Sequence, residues 1–274
     1  PDLVAPGRAL VPAAYDAGTY EIAGDYSSLA APVVSGTAAL LLQKVYQTPL
    51  LAERMRQETR NSVLKAILMT SAQKLPWWHK GGPGREDDSL VPLDWLQGAG
   101  LLDAKEAYVL LTEGARPEEG GLKGWDSPIL DSEHPEVVYP IFVPAGQGGW
   151  LTATTVWNRS FEERFPFRPL NEEDRDLRLE LWAVGPNLPE PILLDLSDSP
   201  LDTVEHLYVR LPETYTSYEL VVRFSQPQAT LNSRQQLAGL AWSVGPDKAA
   251  DNPWWYDLNE DGKIDQIDKS IYFI

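Results

Sequence analysis

The chain has 274 residues, no cysteine and a formal net charge of −17, so disulfides add nothing to its stability and the acidic balance argues against nucleic acid or anionic membrane as partner. Its length accommodates one large domain or two to three small ones. The most apolar stretch, Leu29 to Gln43, is too short to cross a bilayer and carries Pro, Ser, Gly and Thr, so no membrane span is expected.

In chain order, Pro1–Gly7 reads as a short strand closed by a Pro-Gly turn, and residues 8–27 as irregular chain or a short hairpin with Gly18 and Gly24 at turns. A helix is expected from Leu29 to about Tyr46, with Pro32 in its first turn, where a missing N–H costs nothing. This places Ser27 or Ser28 at the N-terminus of a buried helix, beside free backbone N–H groups and the positive end of the helix dipole. A serine there is either a simple N-cap or a nucleophile whose oxyanion product those donors stabilise. Val63, Leu64, Ile67 and Leu68 recur at helical spacing and predict one or two amphipathic helices over 51–72. Residues 76–96, with Trp77, Trp78 and the run Gly81-Gly-Pro-Gly84, form a long loop, its tryptophans lining a cleft or covering a core edge. Asp103–Thr112 is the next helix, with Asp103 at its favourable end.

Four segments carry a resemblance. Ser28-Leu-Ala-Ala-Pro32 with Ser35-Gly36 resembles the nucleophile motif of subtilisin-like serine proteases, usually G-T-S-M-A-A-P-H-V-A-G. Pro1-Asp-Leu-Val-Ala-Pro-Gly7, Leu64-Lys-Ala-Ile-Leu-Met-Thr-Ser-Ala72 and Gln97-Gly-Ala-Gly-Leu-Leu-Asp-Ala104 resemble three further family segments, in the family's order. The resemblance covers roughly the first 110 residues and implies that Ser28 is the nucleophile of a secreted endopeptidase acting on polypeptide substrates. Tyr26-Ser27 replaces the family's Gly-Thr, removing backbone freedom beside the nucleophile. In such enzymes the order is Asp, His, Ser, so both partners of Ser28 are expected in an upstream part of the same protein. Pro1 opens inside a motif, so the chain reads as a fragment or processed piece and is expected to be inactive alone. His79, His134 and His206 all follow Ser28, lack the family's H-G-T-H context, and none is assigned as the base. With most of the family's parallel sheet absent, the helices of this part are expected to expose faces that ought to be buried.

Residues 113–136, rich in Glu, Gly, Pro and Asp, read as a linker. Over 137–246 the period changes: runs at 137–143, 150–157, 177–182, 206–211, 218–224 and 237–243 are β-type and separated by turn residues. They predict an antiparallel sandwich or jelly roll, similar to the pre-peptidase C-terminal and P-type modules of secreted bacterial proteases. Asp195, Asp198, Asp202, Glu205 and His206 either hold calcium or form a solvated acidic loop, and the second reading is preferred.

In the tail, Asp257, Asn259, Asp261, Lys263, Asp265 and Asp268 occupy loop positions 1, 3, 5, 7, 9 and 12, with Gly262 at position 6, the register of an EF-hand calcium loop. Lys263 ligates through its carbonyl and Asp265 directly or through water. Asp at position 12 brings the loop closer to the dockerin version, which makes a cohesin-like partner a weak implication. Gln266–Ile274 is the exiting helix. The expected fold is multidomain: a partial α/β subtilisin-like domain (1–112), a linker (113–136), an antiparallel β-sandwich (137–246) and a dockerin-like half-repeat binding Ca2+ (251–274). The expected location is extracellular or at the cell surface. The alternative function is a catalytically silent secreted binding or anchoring protein that uses the sandwich and the calcium loop.

Overall fold

The computed structural model describes residues 1–13, 18–24, 26–81, 86–115, 120–159, 161–168, 176–186, 188–226 and 235–247. Pro1–Gly7 contributes only a bridge, Val4 to Leu101, rather than a strand. A hairpin follows, β1 (Ala9–Pro12) and β2 (Tyr20–Ala23), which pair antiparallel across a turn with Gly18 at φ 102°. Helix α1 runs Ser27–Gln47, two residues earlier than its apolar run suggests. Pro32 therefore sits in the second turn, where it withholds the N–H that the Ser28 carbonyl would accept. The periodic stretch divides into α2 (Pro49–Arg54) and α3 (Arg60–Ser71), joined through a 3-10 turn, Gln57–Thr59. Helix α4 (Ala104–Glu113) is N-capped by Asp103, whose side chain accepts from the Glu106 N–H at 2.9 Å.

Residues 113–136 do not form a simple linker. They hold β3 (Lys123–Asp126) and β4 (Ile129–Leu130). The six β-type runs become β5 (Glu136–Phe142), β6 (Gly149–Trp157), β7 (Leu177–Val184), β9 (Val204–Leu211), β10 (Ser217–Phe224) and β11 (Gln236–Gly245). One further strand, β8 (Ile192–Ser197), edges a sheet. One sheet is ordered β5-β10-β7-β8; the other is β3-β11-β6-β9 with β4 also on β11, and every pair is antiparallel. Tyr139, Leu181, Leu220, Leu240 and Trp242 belong to the core between the sheets. β3 and β4 are strands despite their turn-rich surroundings because β11 offers a free edge and Trp125 fills a buried position under it.

The helices form a third layer. Alternation along β11 and β6 sends Leu240 and Trp157 inward and Ala241 and Val156 to the opposite face. On that outer face, Val63, Ala66, Ile67 and Met69 of α3 pack with Trp125, Val156, Val204 and Ala241. Fully burying Val63, Ile67 and Met69 stabilises by about 2 kcal/mol each. The exposure expected of the helices is thus real for α1, where only Thr37, Leu41 and Val45 are buried, but not for α3, which finds a substitute sheet in the sandwich.

That docking depends on Gly239 in β11. A Cβ there would meet the backbone of Ser62 and Val63 at the start of α3. Gly239→Val is expected to lower unfolding free energy by about 2 kcal/mol or more through overpacking, read as a lower urea midpoint; an unchanged midpoint would show that α3 is not held this closely.

Candidate active site around Ser28

Ser28 is the second residue of α1 and is exposed. Its N-terminus is uncapped by side chains: the N-cap residue is Tyr26, which makes no side-chain capping bond, and the first turn carries no acid. The Leu29 and Ala30 N–H groups bond the Tyr26 carbonyl at 3.0 and 3.3 Å. The N–H groups of Ser27 and Ser28 precede any carbonyl the helix ladder can offer and sit at the positive end of the helix dipole. A hydroxyl beside two such donors suits an oxyanion-forming nucleophile. Farther along, Ser35 and Thr37 bond back to Ala31 and Val33 carbonyls, so their hydroxyls are spent within the helix.

The backbone leading to Ser28 is held by the other resembling segments. The Tyr26 N–H donates to the Gly7 carbonyl at 3.4 Å. The stretch from Asp2 to Val4 is in turn laced to 99–102: Val4 donates to Gly100, Leu102 to Val4, and Ala99 to Asp2, at 2.9 to 3.0 Å. Gly100 has φ 123° and its position is crowded by the Gln73 carbonyl, so a side chain there is excluded. Two of the four segments singled out in the sequence thus pair directly, and Gly7 at the end of the first holds the residue two places ahead of Ser28.

A buried polar chain anchors this assembly to the sandwich. Lys74, fully buried, donates to the Ala99 carbonyl at 2.5 Å and lies 2.7 Å from His206 Nε2. Its ammonium also lies over the Trp78 ring, 4.3 Å from the centroid. An ammonium donating to Nε2 requires that nitrogen to be unprotonated, so Nδ1–H donates to Thr154 Oγ1 at 2.8 Å. Thr154 Oγ1 is 2.8 Å from Thr70 Oγ1, which also reaches the Ala241 carbonyl at 3.2 Å. Lys74, Thr70 and Thr154 were not legible as partners; the available signal was a lysine three residues past the end of α3, ahead of two tryptophans. Trp78 covers the core edge against His206 and Tyr208, whereas Trp77 is 62 % exposed with φ 62°.

The histidines are engaged away from Ser28. His79 faces Asp88 at 3.5 Å, His134 faces Asp131 at 3.3 Å, and His206 belongs to the buried chain above. The acidic group at 195–206 does not converge on one point. Asp195 pairs with Lys80 at 3.2 Å, Asp202 accepts from Ser199 Oγ, and Glu205 is buried against Ser197 and the Ser199 N–H. Glu205 and His206, adjacent on β9, face opposite sides of the sheet. Among the described residues no group of three or more His, Cys, Asp or Glu is placed to hold a metal ion. The calcium-loop residues Asp257, Asn259, Asp261, Lys263, Asp265 and Asp268 lie outside the described residues. Burial pushes the Glu205 carboxyl well above the ordinary range against the pull of its serine partners, and burial likewise raises Asp195 despite Lys80.

Comparison with known proteins finds a similarity in the N-terminal part. Residues 1–100 match the subtilase family, Peptidase_S8. The matched stretch is less than half of the chain; it contains Pro1–Gly7 and Ser28, ends inside the segment 97–104, and makes this part similar to serine peptidases at family level. None of the curated proteins matches the chain. Among solved structures, PliG of Aeromonas hydrophila, a periplasmic inhibitor of g-type lysozyme, is 14 % identical, with 47 % of this chain and 91 % of that one covered at a TM-score of 0.32. The NLP core of Drosophila is 9 % identical over 43 % of this chain and 94 % of its own, at a TM-score of 0.21. The exo-β-1,3-galactanase of Phanerochaete chrysosporium is 17 % identical over 46 % and 28 %, at 0.20. None of the three superposes closely enough to bear on function.

Asp176 makes the acid cluster sensitive to pH. Burial, and then the charge of Asp198, push its carboxyl from 3.8 up to about 6. The folded chain therefore keeps a proton between those values that the unfolded chain has lost, and this contribution to stability is present at low pH and lost as pH rises to about 6. Asp176→Asn, always neutral, is expected to melt above the wild type at pH 7 and together with it near pH 4; a melting difference independent of pH would refute the assignment.

Proposed function

We propose that residues 1–112 are the serine-bearing part of a secreted subtilisin-type endopeptidase, with Ser28 as nucleophile and its own backbone N–H among the oxyanion donors. The observation that carries this reading is the placement of Ser28 at the uncapped N-terminus of α1, inside the stretch that matches the subtilase family. In this reading the base and its orienting carboxylate come from an upstream part of the same protein carrying the family's His and Asp. The surface that would receive that part is apolar and uncovered. Leu40 on α1 is 68 % exposed and Ile22 on β2 is 76 % exposed, with Leu10, Tyr20, Val33 and Tyr46 also exposed. A two-stranded hairpin with such side chains gains stability by joining a larger sheet or packing against a helix.

The 274-residue chain alone is expected to hydrolyse no peptide bonds. A polypeptide extended upstream by the Asp- and His-bearing part is expected to cleave an unfolded protein substrate, and Ser28→Ala in it to lower turnover by about 10³-fold or more. Wild-type turnover in that variant would remove Ser28 from the mechanism. The intact mass and N-terminal sequence of the native polypeptide decide between this reading and a second one, the silent binding or anchoring protein, which Tyr26-Ser27 in place of the family's Gly-Thr favours. A native species beginning near Pro1 with no partner chain would establish that second reading.

For the tail we propose one calcium ion held by Asp257, Asn259, Asp261, Asp265 and Asp268 side chains and the Lys263 carbonyl. Titration calorimetry is expected to show one Ca2+ site that Asp257→Ala with Asp268→Ala abolishes and EDTA empties. Heat unchanged by the double substitution would place any bound calcium elsewhere. Substrate class, location and a cohesin-like partner follow from these proposals: polypeptides, outside the cell, and a partner only if the tail acts as a dockerin.

A further inference from the structure

A cavity of about 700 Å³ opens at one end of the sandwich, away from α1, and falls within the size range of small-ligand sites. Its floor is apolar, made by Leu122 and the buried Val143 and Val244. One wall is the turn Gly146 to Gly149, in which Gln147 carries the one side chain and its N–H donates to the Pro144 carbonyl at 3.1 Å. The rim carries Trp150, Arg210, Glu213 and Asp247, with Gln147 beside them.

The rim is ordered by contacts of its own. Trp150 stacks on Tyr208, ring centroids 4.7 Å apart and planes 23° apart, and the Tyr208 hydroxyl donates to the Asp247 carboxylate. Arg210 and Glu213 face each other at 3.7 Å. An indole is thus fixed beside two carboxylates, one guanidinium and one carboxamide. Each hydroxyl of a sugar ring both donates and accepts, and this rim offers both. The CH face of the ring suits an indole and an apolar floor. The ionised rim sums to −1, from one Arg against Glu213 and Asp247, which disfavours phosphates and uronates.

We propose that this cavity binds a neutral oligosaccharide, with Trp150 as its stacking platform and Arg210, Glu213 and Asp247 as its polar contacts. The experiment is saturation-transfer NMR on the full 274-residue chain with cellotriose, maltotriose, xylotriose, triacetylchitotriose and, as an anionic control, trigalacturonate. At least one neutral trisaccharide is expected to receive saturation, with little transfer to trigalacturonate. Trp150→Ala is expected to weaken that binding about tenfold, the loss of one aromatic contact. Because Trp150 also packs on Tyr208, Arg210→Ala serves as the second variant; its side chain is 71 % exposed, so the fold survives and only the affinity falls. No transfer to any neutral trisaccharide, stronger transfer to trigalacturonate, or affinity unmoved by either substitution would overturn the proposal.

Discussion

Everything in this chain hangs on the contact between α3 and the outer face of the sheet β3-β11-β6-β9. A helix flanked by other helices on one side needs an apolar surface on the other, and an antiparallel sheet can supply one if its outer strand positions are apolar or small. Val156, Val204 and Ala241 meet that need, and Gly239 lets the helix backbone come in contact with the strand. The buried Lys74–His206–Thr154–Thr70 chain adds direction to what would otherwise be non-specific packing. Removing one member would leave another polar group buried without its partner, which costs more than the bond itself contributes. The contact therefore fixes not just that α3 lies on the sheet but where along it.

From that contact the arrangement reaches Ser28 through backbone hydrogen bonds. Lys74 holds Ala99, residues 99–102 hold Asp2 to Val4, and Gly7 holds Tyr26. The subtilase-like stretch and the sandwich are consequently not two beads on a string. The serine helix hangs from a frame that the sandwich completes, while its own outward side stays apolar and uncovered.

Much of this could be read in the sequence where local chemistry decides structure. Alternation in 218–224 and 177–182 named strands, Asp103 named a helix start, and the four subtilase-like segments pointed to Ser28. What could not be read was set by partners distant in sequence. β3 and β4 look like turn-rich connecting chain because their stability comes from the edge of β11, more than 100 residues later. Pro32 suggested a helix start after Ser28, yet the helix extends back to Ser27, tolerating the missing bond inside the second turn. The carboxylates from Asp195 to Glu205 are close in sequence but diverge in space, because a strand points neighbours to opposite faces and lysine and serine partners draw the others apart.

The distance between Thr70 and the Ala241 carbonyl it reaches has a meaning during synthesis. They are separated by 171 positions along the chain. At typical elongation rates, the interval between their appearance is roughly ten to thirty seconds. Throughout it, the apolar side of α3 has emerged and the strand that will cover it has not been made. A nascent chain of this kind leaves the ribosome with α3 still waiting for the β11 surface that covers it.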